Sequence, residues 1–441
     1  MHQLARVAWL SVISAVIALP SLTWIAASPA VPFWRQLSIV TGLVALSALV
    51  CAAVLPSRLR SLNRAFGIES VVDAHRYLAA GSTVATLVHV ACVIATDPAQ
   101  LALLRLTDAD GPAPRAAVAS TLALVAVVVL PLLPGVRRIS YNLWRWAHLV
   151  LGAVAVVFAF LHTWWRDNLI HDRLMLALLV GMCGLLLAVL GYRWIWRGLL
   201  DPTTEFVVTR VKPENPTVTT LALEACTGRH DPSRWRFEPG QFAWLRLRRS
   251  PIAEEHPFTI ASSADDEHRI EFTVRHAGDF TEKLRGLIPG TPVWIDGPHG
   301  DFVPADRPDH GIVMIAGGVG ITPMISMIRT AADRGDRRPY RLIVVASRPD
   351  DLLFRGELVD LRRHLDLEVI EVLRHPPEDW TGPIGGISAE LLATVLDRNR
   401  DPADFEYYLC GSPSLLADAY DALVELGVPD ERIHTEQFDF V

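Results

Sequence analysis

Four histidines set the chemistry this chain could do. His75 and His89 lie fourteen residues apart in one apolar stretch, and His148 and His162 lie fourteen apart in another. At about 100° and 1.5 Å per residue, fourteen residues make nearly four helical turns. Each pair therefore shares one helix face, with its rings separated by roughly 21 Å along the axis, most of the ~30 Å hydrocarbon thickness of a bilayer. If the two helices stand side by side and run the same way, His75 faces His148 at one depth and His89 faces His162 at another. Each facing pair could ligate a haem iron from both sides. Two stacked haems across a membrane make an electron wire.

Two other uses of these residues have to be weighed. A lone membrane histidine commonly serves as a helix–helix hydrogen-bond donor, and four of them could form a proton relay governed by a redox-sensing remainder of the chain. The matched spacing favours haems, because a relay needs closer steps than roughly 21 Å. The five cysteines, Cys51, Cys92, Cys183, Cys226 and Cys410, are scattered without a C-x-x-C. That argues against an iron–sulfur cluster, a structural zinc or a disulfide framework.

The elements that must position the histidines follow from hydropathy. Apolar residues make up 51% of the 441 and the mean hydropathy of +0.29 is high for a soluble protein. They concentrate before about residue 195, so a membrane half precedes a soluble half. The net charge of −7 gives no reason to invoke nucleic acid. Six spans are expected, near 7–28, 36–55, 72–96, 116–134, 146–165 and 173–193, each about long enough to cross a bilayer. Ser28-Pro29-Ala30 loosely resembles a signal-peptide cleavage site, but the preceding apolar run is long for one.

Positive charges orient the bundle. Arg58, Arg60 and Arg64 lie between spans two and three, Arg137, Arg138 and Arg145 between four and five, and Arg193 and Arg197 after span six. The opposite loops hold Asp97, Asp108, Asp110, Asp167 and Asp172. Both termini are then expected to be cytoplasmic, with spans three and five both running outward, as the histidine pairing requires. His75 and His148 fall at the inner depth, His89 and His162 at the outer. Arg76 and Arg145 adjoin the inner pair, and Arg166 and Trp164 the outer end. These arginines could serve haem propionates or simply set topology. Tyr192-Arg193-Trp194-Ile195-Trp196-Arg197 reads as an interfacial belt with snorkelling arginines.

The soluble half opens with short alternating strands at Thr204–Lys212, Thr217–Ala225, Gln241–Arg248, Arg269–Arg275 and Pro292–Asp296. Frequent turns among them suggest a small antiparallel barrel. Buried strands at Gly311–Ala316, Arg341–Ser347, Asp366–Leu373 and Phe405–Cys410 then alternate with helical segments. That pattern is a parallel doubly wound sheet. The expected architecture is a multidomain membrane protein: a six-helix transmembrane bundle over 1–200, an antiparallel β-barrel over 201–308 and a doubly wound α/β nucleotide-binding domain over 309–441.

Several short motifs occur in a telling order: His256-Pro257-Phe258-Thr259, Gly278-Asp279-Phe280-Thr281, Gly317-Gly318-Val319-Gly320-Ile321-Thr322-Pro323, Leu409-Cys410-Gly411-Ser412-Pro413 and a terminus containing Phe438. Together with the six spans and paired histidines, the chain resembles the ferric reductase and NADPH oxidase family, whose soluble half belongs to the ferredoxin–NADP reductase superfamily.

The resemblance implies FAD, two b-type haems and NADPH, or NADH. It puts His256, Pro257, Phe258 and Thr259 at the isoalloxazine, with the Thr259 hydroxyl near N5. Many reductases of the superfamily carry Arg where this chain has His256; the oxidase branch carries His. Arg275, Gly278, Phe280 and Thr281 would face the FAD pyrophosphate, offering a charge, a tight turn and a helix N-terminus. Gly317, Gly318, Gly320, Thr322 and Pro323 follow a strand and open a helix, where backbone amides can meet a dinucleotide. Ser347 and Arg348, with Arg355 as a second candidate, could pair with a 2′-phosphate, favouring NADPH. Cys410 and Gly411 end the last main strand, and the family's pattern sets Cys410 near the nicotinamide. A terminal aromatic, Phe438 with Phe440 as rival, would stack on the flavin.

The implied activity is electron transfer from cytoplasmic NADPH through FAD and the haems to an outer acceptor, in a bacterial inner membrane. The acceptor could be oxygen, giving superoxide, a ferric chelate or a periplasmic protein. Superoxide-forming relatives tend to place an Arg and an extra His around the outer haem. Here Val93 stands one turn after His89 and residues 36–55 contain no Arg, which weakens the oxygen reading; Arg166 or His171 could substitute. Oligomeric state is not readable from the sequence.

Overall fold

The computed structural model describes residues 2–27, 31–104, 111–133, 141–226, 235–250, 252–266, 268–396 and 401–437. They divide into two compact units, Met1–Trp196 and Arg197–Val441.

The first unit is helical: α1 (His2–Ala27), α2 (Phe33–Val54), α3 (Arg60–Phe66), α4 (Ile68–Thr96), α5 (Pro112–Val129), α6 (Tyr141–Trp164), α7 (Asp167–Ile170) and α8 (Arg173–Gly191). Six of the described helices are long and apolar enough to cross a membrane. Leu4, Val7, Val84, Leu87, Val150 and Val157 point outward; such faces are costly in water and natural against lipid. The exception is α2, whose apolar window is 56% buried against 28% or less in the other five. It is the central post of the bundle.

α2 packs on α4, and α5 on α6. Small residues let the backbones approach, as interhelical packing in lipid requires. Ser82 Oγ donates to the Ala45 carbonyl and Ser120 Oγ to the Ala155 carbonyl, both at 2.8 Å. α2 and α5 both end in a 3₁₀ turn, Leu55–Ser57 and Leu130–Leu132, with a proline at its second position.

α8 continues as a π-helix over Tyr192–Leu200. Tyr192, Ile195 and Trp196 are exposed, as a belt should be. Arg197 departs from the expectation of a snorkelling side chain. It is buried, with Nη2 donating to Asp296 Oδ1 at 2.7 Å and Nη1 paired to Asp201. Two carboxylates within reach make the interior the better place for it.

In the second unit, β1 (Glu205–Asn215), β2 (Val218–Ala225), β3 (Phe242–Arg246), β4 (Glu255–Thr259), β5 (Arg269–Arg275) and β6 (Pro292–His299) form one antiparallel sheet in the order β4-β3-β6-β1-β2-β5. The expected barrel is not closed. Ile260, the residue after β4, bridges to Phe272 on β5, and among the described residues no ladder joins these two edge strands. β4 is only five residues long and contains Pro257, which has no amide to give a ladder.

Helix α9 (Asp279–Arg285) caps this sheet, and β7 (Gly311–Gly317), α10 (Ile321–Asp333), β8 (Tyr340–Ala346), α11 (Arg355–Leu361), β9 (Leu367–Leu373), α12 (Ala389–Val395), β10 (Phe405–Gly411), α13 (Pro413–Glu425) and β11 (Ile433–Gln437) complete the chain. The second sheet is parallel, in the order β11-β10-β7-β8-β9. Period-two alternation sends Ile312 and Met314 toward α10 and α11, and Val313 and Ile315 toward α12 and α13. Strand order reverses between β7 and β10, which is where ligands of such sheets bind.

Arg329 on α10 locks the two sheets together. It donates to Glu357 at 2.5 and 2.8 Å, to Glu271 on β5 at 2.9 Å and to the Ala261 carbonyl at 2.7 Å.

Candidate functional site

The histidines meet in the expected pairs. The His75 and His148 ring centres are 6.0 Å apart, and those of His89 and His162 are 6.3 Å apart. Two imidazoles bound on opposite sides of one metal, with metal–nitrogen distances of about 2 Å, stand with their centres about 6 Å apart. His75 Nδ1 lies 2.8 Å from the Ala52 carbonyl, His89 Nδ1 2.6 Å from that of Ser38 and His162 Nδ1 3.0 Å from that of Ala113. A carbonyl can only accept, so each of these Nδ1 atoms carries the proton. Nε2 is left with its lone pair, the tautomer and second-sphere contact of a metal-bound histidine.

Ala52 and Ser38 are themselves fourteen residues apart, matching the histidines they hold. Gly42 completes the outer cradle, since a Cβ there would stand 2.9 Å from His89 Nδ1. His148 stacks on Trp144 at 5.3 Å, and its Nδ1 is buried without a partner among the described residues. No cluster of three or more His, Cys, Asp or Glu among the described residues could hold a bare metal ion. A haem brings four nitrogens of its own and asks the protein for two. The residues fit that group.

The charged neighbours are less committed. Arg76 pairs with Asp73 at 3.0 Å on an exposed face, and Arg145 lies over Trp146. Arg166 and Trp164 are exposed. Helix α2 begins at Phe33 rather than at 36 and so includes Arg35, whose carbonyl accepts from Ser38 Oγ at 3.1 Å. An arginine does therefore stand one turn from the residue that holds His89, with its side chain exposed.

On the first sheet, His256 and Phe258 share a face of β4 and meet Phe280, with ring centres at 4.4 and 6.2 Å. His256 Nε2 sits 3.1 Å from Glu254. Phe258 also packs against the sheet's core. Pro257 and Thr259 take the other face, and the Thr259 hydroxyl is buried with no hydrogen-bond partner among the described residues. An orphaned hydroxyl costs about 1–3 kcal/mol, so a ligand atom that bonds to it is favoured; this fits the flavin expectation. Arg275 is exposed. The Thr281 hydroxyl accepts from the Ala277 and Gly278 amides at 2.8 and 3.1 Å. It thus closes its own turn, and Asp279 and Glu282 stand in the first turn of α9.

At the switch point of the second sheet, Gly317, Gly320 and Gly411 are there because the strand ends converge. A Cβ on Gly320 would lie 2.3 Å from the Cys410 carbonyl, and one on Gly317 or Gly411 would strike Leu415 at 2.5 or 2.7 Å. Gly318 has φ +56° with open space beyond it, room for a ligand to approach the backbone. Thr322 and Pro323 are buried in the first turn of α10, with the Thr322 hydroxyl donating to the Val319 carbonyl at 2.8 Å. Ser347 and Arg348 are exposed at the end of β8. Arg355 is held by Glu371 at 2.7 and 2.8 Å, leaving Arg348 the freer cation.

Cys410 is fully buried, and burial pushes its thiol well above the usual range, with Glu436 adding to the shift. Phe438 and Phe440 lie outside the described residues. Sequence reading missed β11, which sets Glu436 beside Cys410, and the carbonyls that orient the histidines.

Comparison with known proteins places these sites in context. Residues 41–160 match the ferric reductase like transmembrane component, 223–301 an FAD-binding domain and 314–421 an oxidoreductase NAD-binding domain. The reductase component of propane 2-monooxygenase from Rhodococcus jostii is 29% identical over 242 residues, covering 52% of this chain and 62% of that protein. The chain thus spans less than two thirds of that relative. Ferredoxin–NADP reductase B from Sorangium cellulosum is 30% identical over 236 residues, covering 52% of this chain and 95% of that protein. A flavohemoglobin structure from Malassezia yamatoensis has a TM-score of 0.50 at 17% identity, covering 96% of this chain and 99% of that one, a likeness of fold. The chain is therefore a ferric reductase-like membrane component fused to an FAD- and NAD-binding reductase module, the architecture of the ferric reductase and NADPH oxidase family.

Proposed function

We propose that this protein is a transmembrane oxidoreductase that takes electrons from NADPH in the cytoplasm, by way of FAD and two b-type haems, and delivers them to an acceptor on the outer side. The observation that carries the reading is the paired histidines, facing at 6.0 and 6.3 Å with three Nδ1 atoms turned to carbonyls. When bound, the flavin splits a hydride pair into single electrons and the haem irons relay them one at a time.

Residues of the chain do the holding and the positioning. His75 and His148 hold the inner iron, His89 and His162 the outer. Thr259 offers its hydroxyl to the flavin ring, and His256, Phe258 and Phe280 wall the opposite face of the strand. Arg275 and the Gly278–Thr281 turn supply the pyrophosphate side. The glycines at 317, 318, 320 and 411 admit the nucleotide, Cys410 shapes the nicotinamide end and excludes water, and Ser347 with Arg348 selects NADPH over NADH. The membrane bundle, flavin sheet and nucleotide domain correspond to 1–200, 201–308 and 309–441. Both termini are cytoplasmic, in a bacterial inner membrane.

The acceptor is oxygen or a ferric chelate. Anaerobic absorbance in detergent with FAD present, before and after NADPH, tests the proposal. Reduced bis-histidine haem bands that decay in air with superoxide support oxygen. Bands that persist in air and bleach with ferric chelate make it a metal reductase. Absence of haem bands would sink the reading.

A further inference from the structure

The two helix pairs that carry the histidines share one ladder. Between α2 and α4 the facing residues are Ser38 with His89, Ala45 with Ser82 and Ala52 with His75. Each step moves seven residues up one helix and seven down the other. Between α5 and α6 the same steps give Ala113 with His162 and Ser120 with Ala155. Extending the same step once more leads from Ser120 and Ala155 to Val127 and His148, and among the four histidines His148 is the one whose Nδ1 makes no bond among the described residues. Val127 is buried on α5.

What distinguishes the inner rungs is the residue four places on. In a helix the carbonyl of residue i accepts from the amide of i+4. Four after Ala52 is Pro56, and four after Val127 is Pro131; proline has no amide to give. The carbonyls just before them are occupied in the ordinary way, Cys51 by the Leu55 amide and Ala126 by the Leu130 amide. The outer rungs differ. Four after Ser38 is Gly42 and four after Ala113 is Ala117, both with amides, and the Ser38 carbonyl also accepts from the Thr41 hydroxyl at 3.0 Å.

We propose that Pro56 and Pro131 are positioning residues for the inner haem: each withholds a backbone amide at the same rung of its helix pair, reserving the Ala52 carbonyl for His75 and the Val127 carbonyl for His148. An unshared carbonyl is a stronger acceptor than a shared one, and a stronger acceptor on Nδ1 makes Nε2 a more basic iron ligand. More basic axial ligands favour the oxidised iron, so the inner haem takes the lower reduction potential of the two. Electrons then run downhill from the inner to the outer side. The simpler role of a proline at this place is to stop a helix; that role makes no distinction between the two haems. The inference rests on the bis-histidine reading above.

The test is a redox titration of the full chain loaded with haem, followed by haem absorbance. The inner haem is identified as the one that survives in His162→Ala. Pro56→Ala, Pro131→Ala, Pro56→Gly and Pro131→Gly all restore the amide, while alanine and glycine differ in helix propensity. All four should raise the inner reduction equilibrium about tenfold, near 59 mV for one electron, and leave the outer haem unmoved. Equal shifts at both haems, opposite shifts for alanine and glycine, or no shift would overturn the assignment. The unsubstituted chain gives a second measurement, since an inner haem with the higher potential also overturns it. An unsubstituted chain without haem bands would overturn the underlying reading and the proline assignment with it, whereas haem bands with unmoved potentials would overturn the prolines alone.

Discussion

Adding one methyl group at Gly42 should separate the outer haem site from the rest of the protein. A Cβ at this position would stand 2.9 Å from His89 Nδ1 and 3.1 Å from Cε1. Carbon contacts are comfortable at about 3.5–4.0 Å, so the imidazole must retreat by roughly 0.5–1 Å. The His89 ring is not a flexible chain end that can swing aside, because its Nδ1 is tied to the Ser38 carbonyl at 2.6 Å and Ser38 lies one turn before Gly42 on the same helix. Retreat therefore stretches that bond and moves Nε2 away from His162 together. Overpacking of this kind costs about 1–3 kcal/mol, and disturbing a second-sphere contact weakens a metal site by about 10–100-fold. Gly42→Ala is expected to keep the inner haem and the flavin and to lose the outer haem on dilution. Haem-to-flavin stoichiometry would fall from two toward one. Gly152→Ala is the control, because a Cβ there meets nothing within 4 Å. A Gly42→Ala protein that holds two haems with unchanged potentials would refute the reasoning.

Three other outcomes are expected. Thr259→Val keeps the shape and removes an orphaned buried hydroxyl, so the flavin-free protein should melt at a higher temperature while NADPH reduces bound flavin more slowly; an unchanged rate would detach Thr259 from the flavin. Arg348→Ala should raise KM for NADPH about tenfold and leave NADH unchanged, measured by steady-state kinetics with both nucleotides; a parallel change would remove Arg348 from the 2′-phosphate. Glu406 is buried, which alone would raise its pKa, but hydrogen bonds from His434, Arg432 and His310 outweigh burial and hold it below the usual carboxylate value of 4.5. Its contribution to stability is present above that value and is lost as pH falls through the depressed pKa, so melting temperature should drop on acidification below about pH 4.5, and Glu406→Gln should flatten that limb.

The histidine pairing was legible because it is arithmetic on one helix: fourteen residues return to the same face, and two such faces find each other. The carbonyls that hold the rings were not legible. Ala52, Ser38 and Ala113 are ordinary small residues, and their part belongs to the backbone. Pro56 and Pro131 stand in plain view in the sequence, yet acquire meaning only once the interhelical register is known. Arg35 goes unread because hydropathy alone starts the span at 36, three residues after the helix begins. In the second unit the parallel strands announce themselves as apolar runs, whereas β11, Ile-His-Thr-Glu-Gln, is too polar to read as a strand and is held by its register with β10. Arg329 was silent for another reason: Glu271 is brought to it by the docking of two sheets, and Glu357 by the packing of α11 beside α10.

The repeated ladder has a bearing on how the bundle is made in a cell. Each helix pair presents one histidine at each depth, so neither pair can hold a haem alone. α2 with α4 and α5 with α6 can emerge from the ribosome as separate hairpins, each closed by its own serine–carbonyl bond. A haem would then act as a rivet between them, and two haems as two rivets at opposite leaflets. Scarcity of haem would leave hairpins that insert but stay unjoined, with imidazoles facing lipid, an exposed polar feature of the kind that membrane quality control can detect.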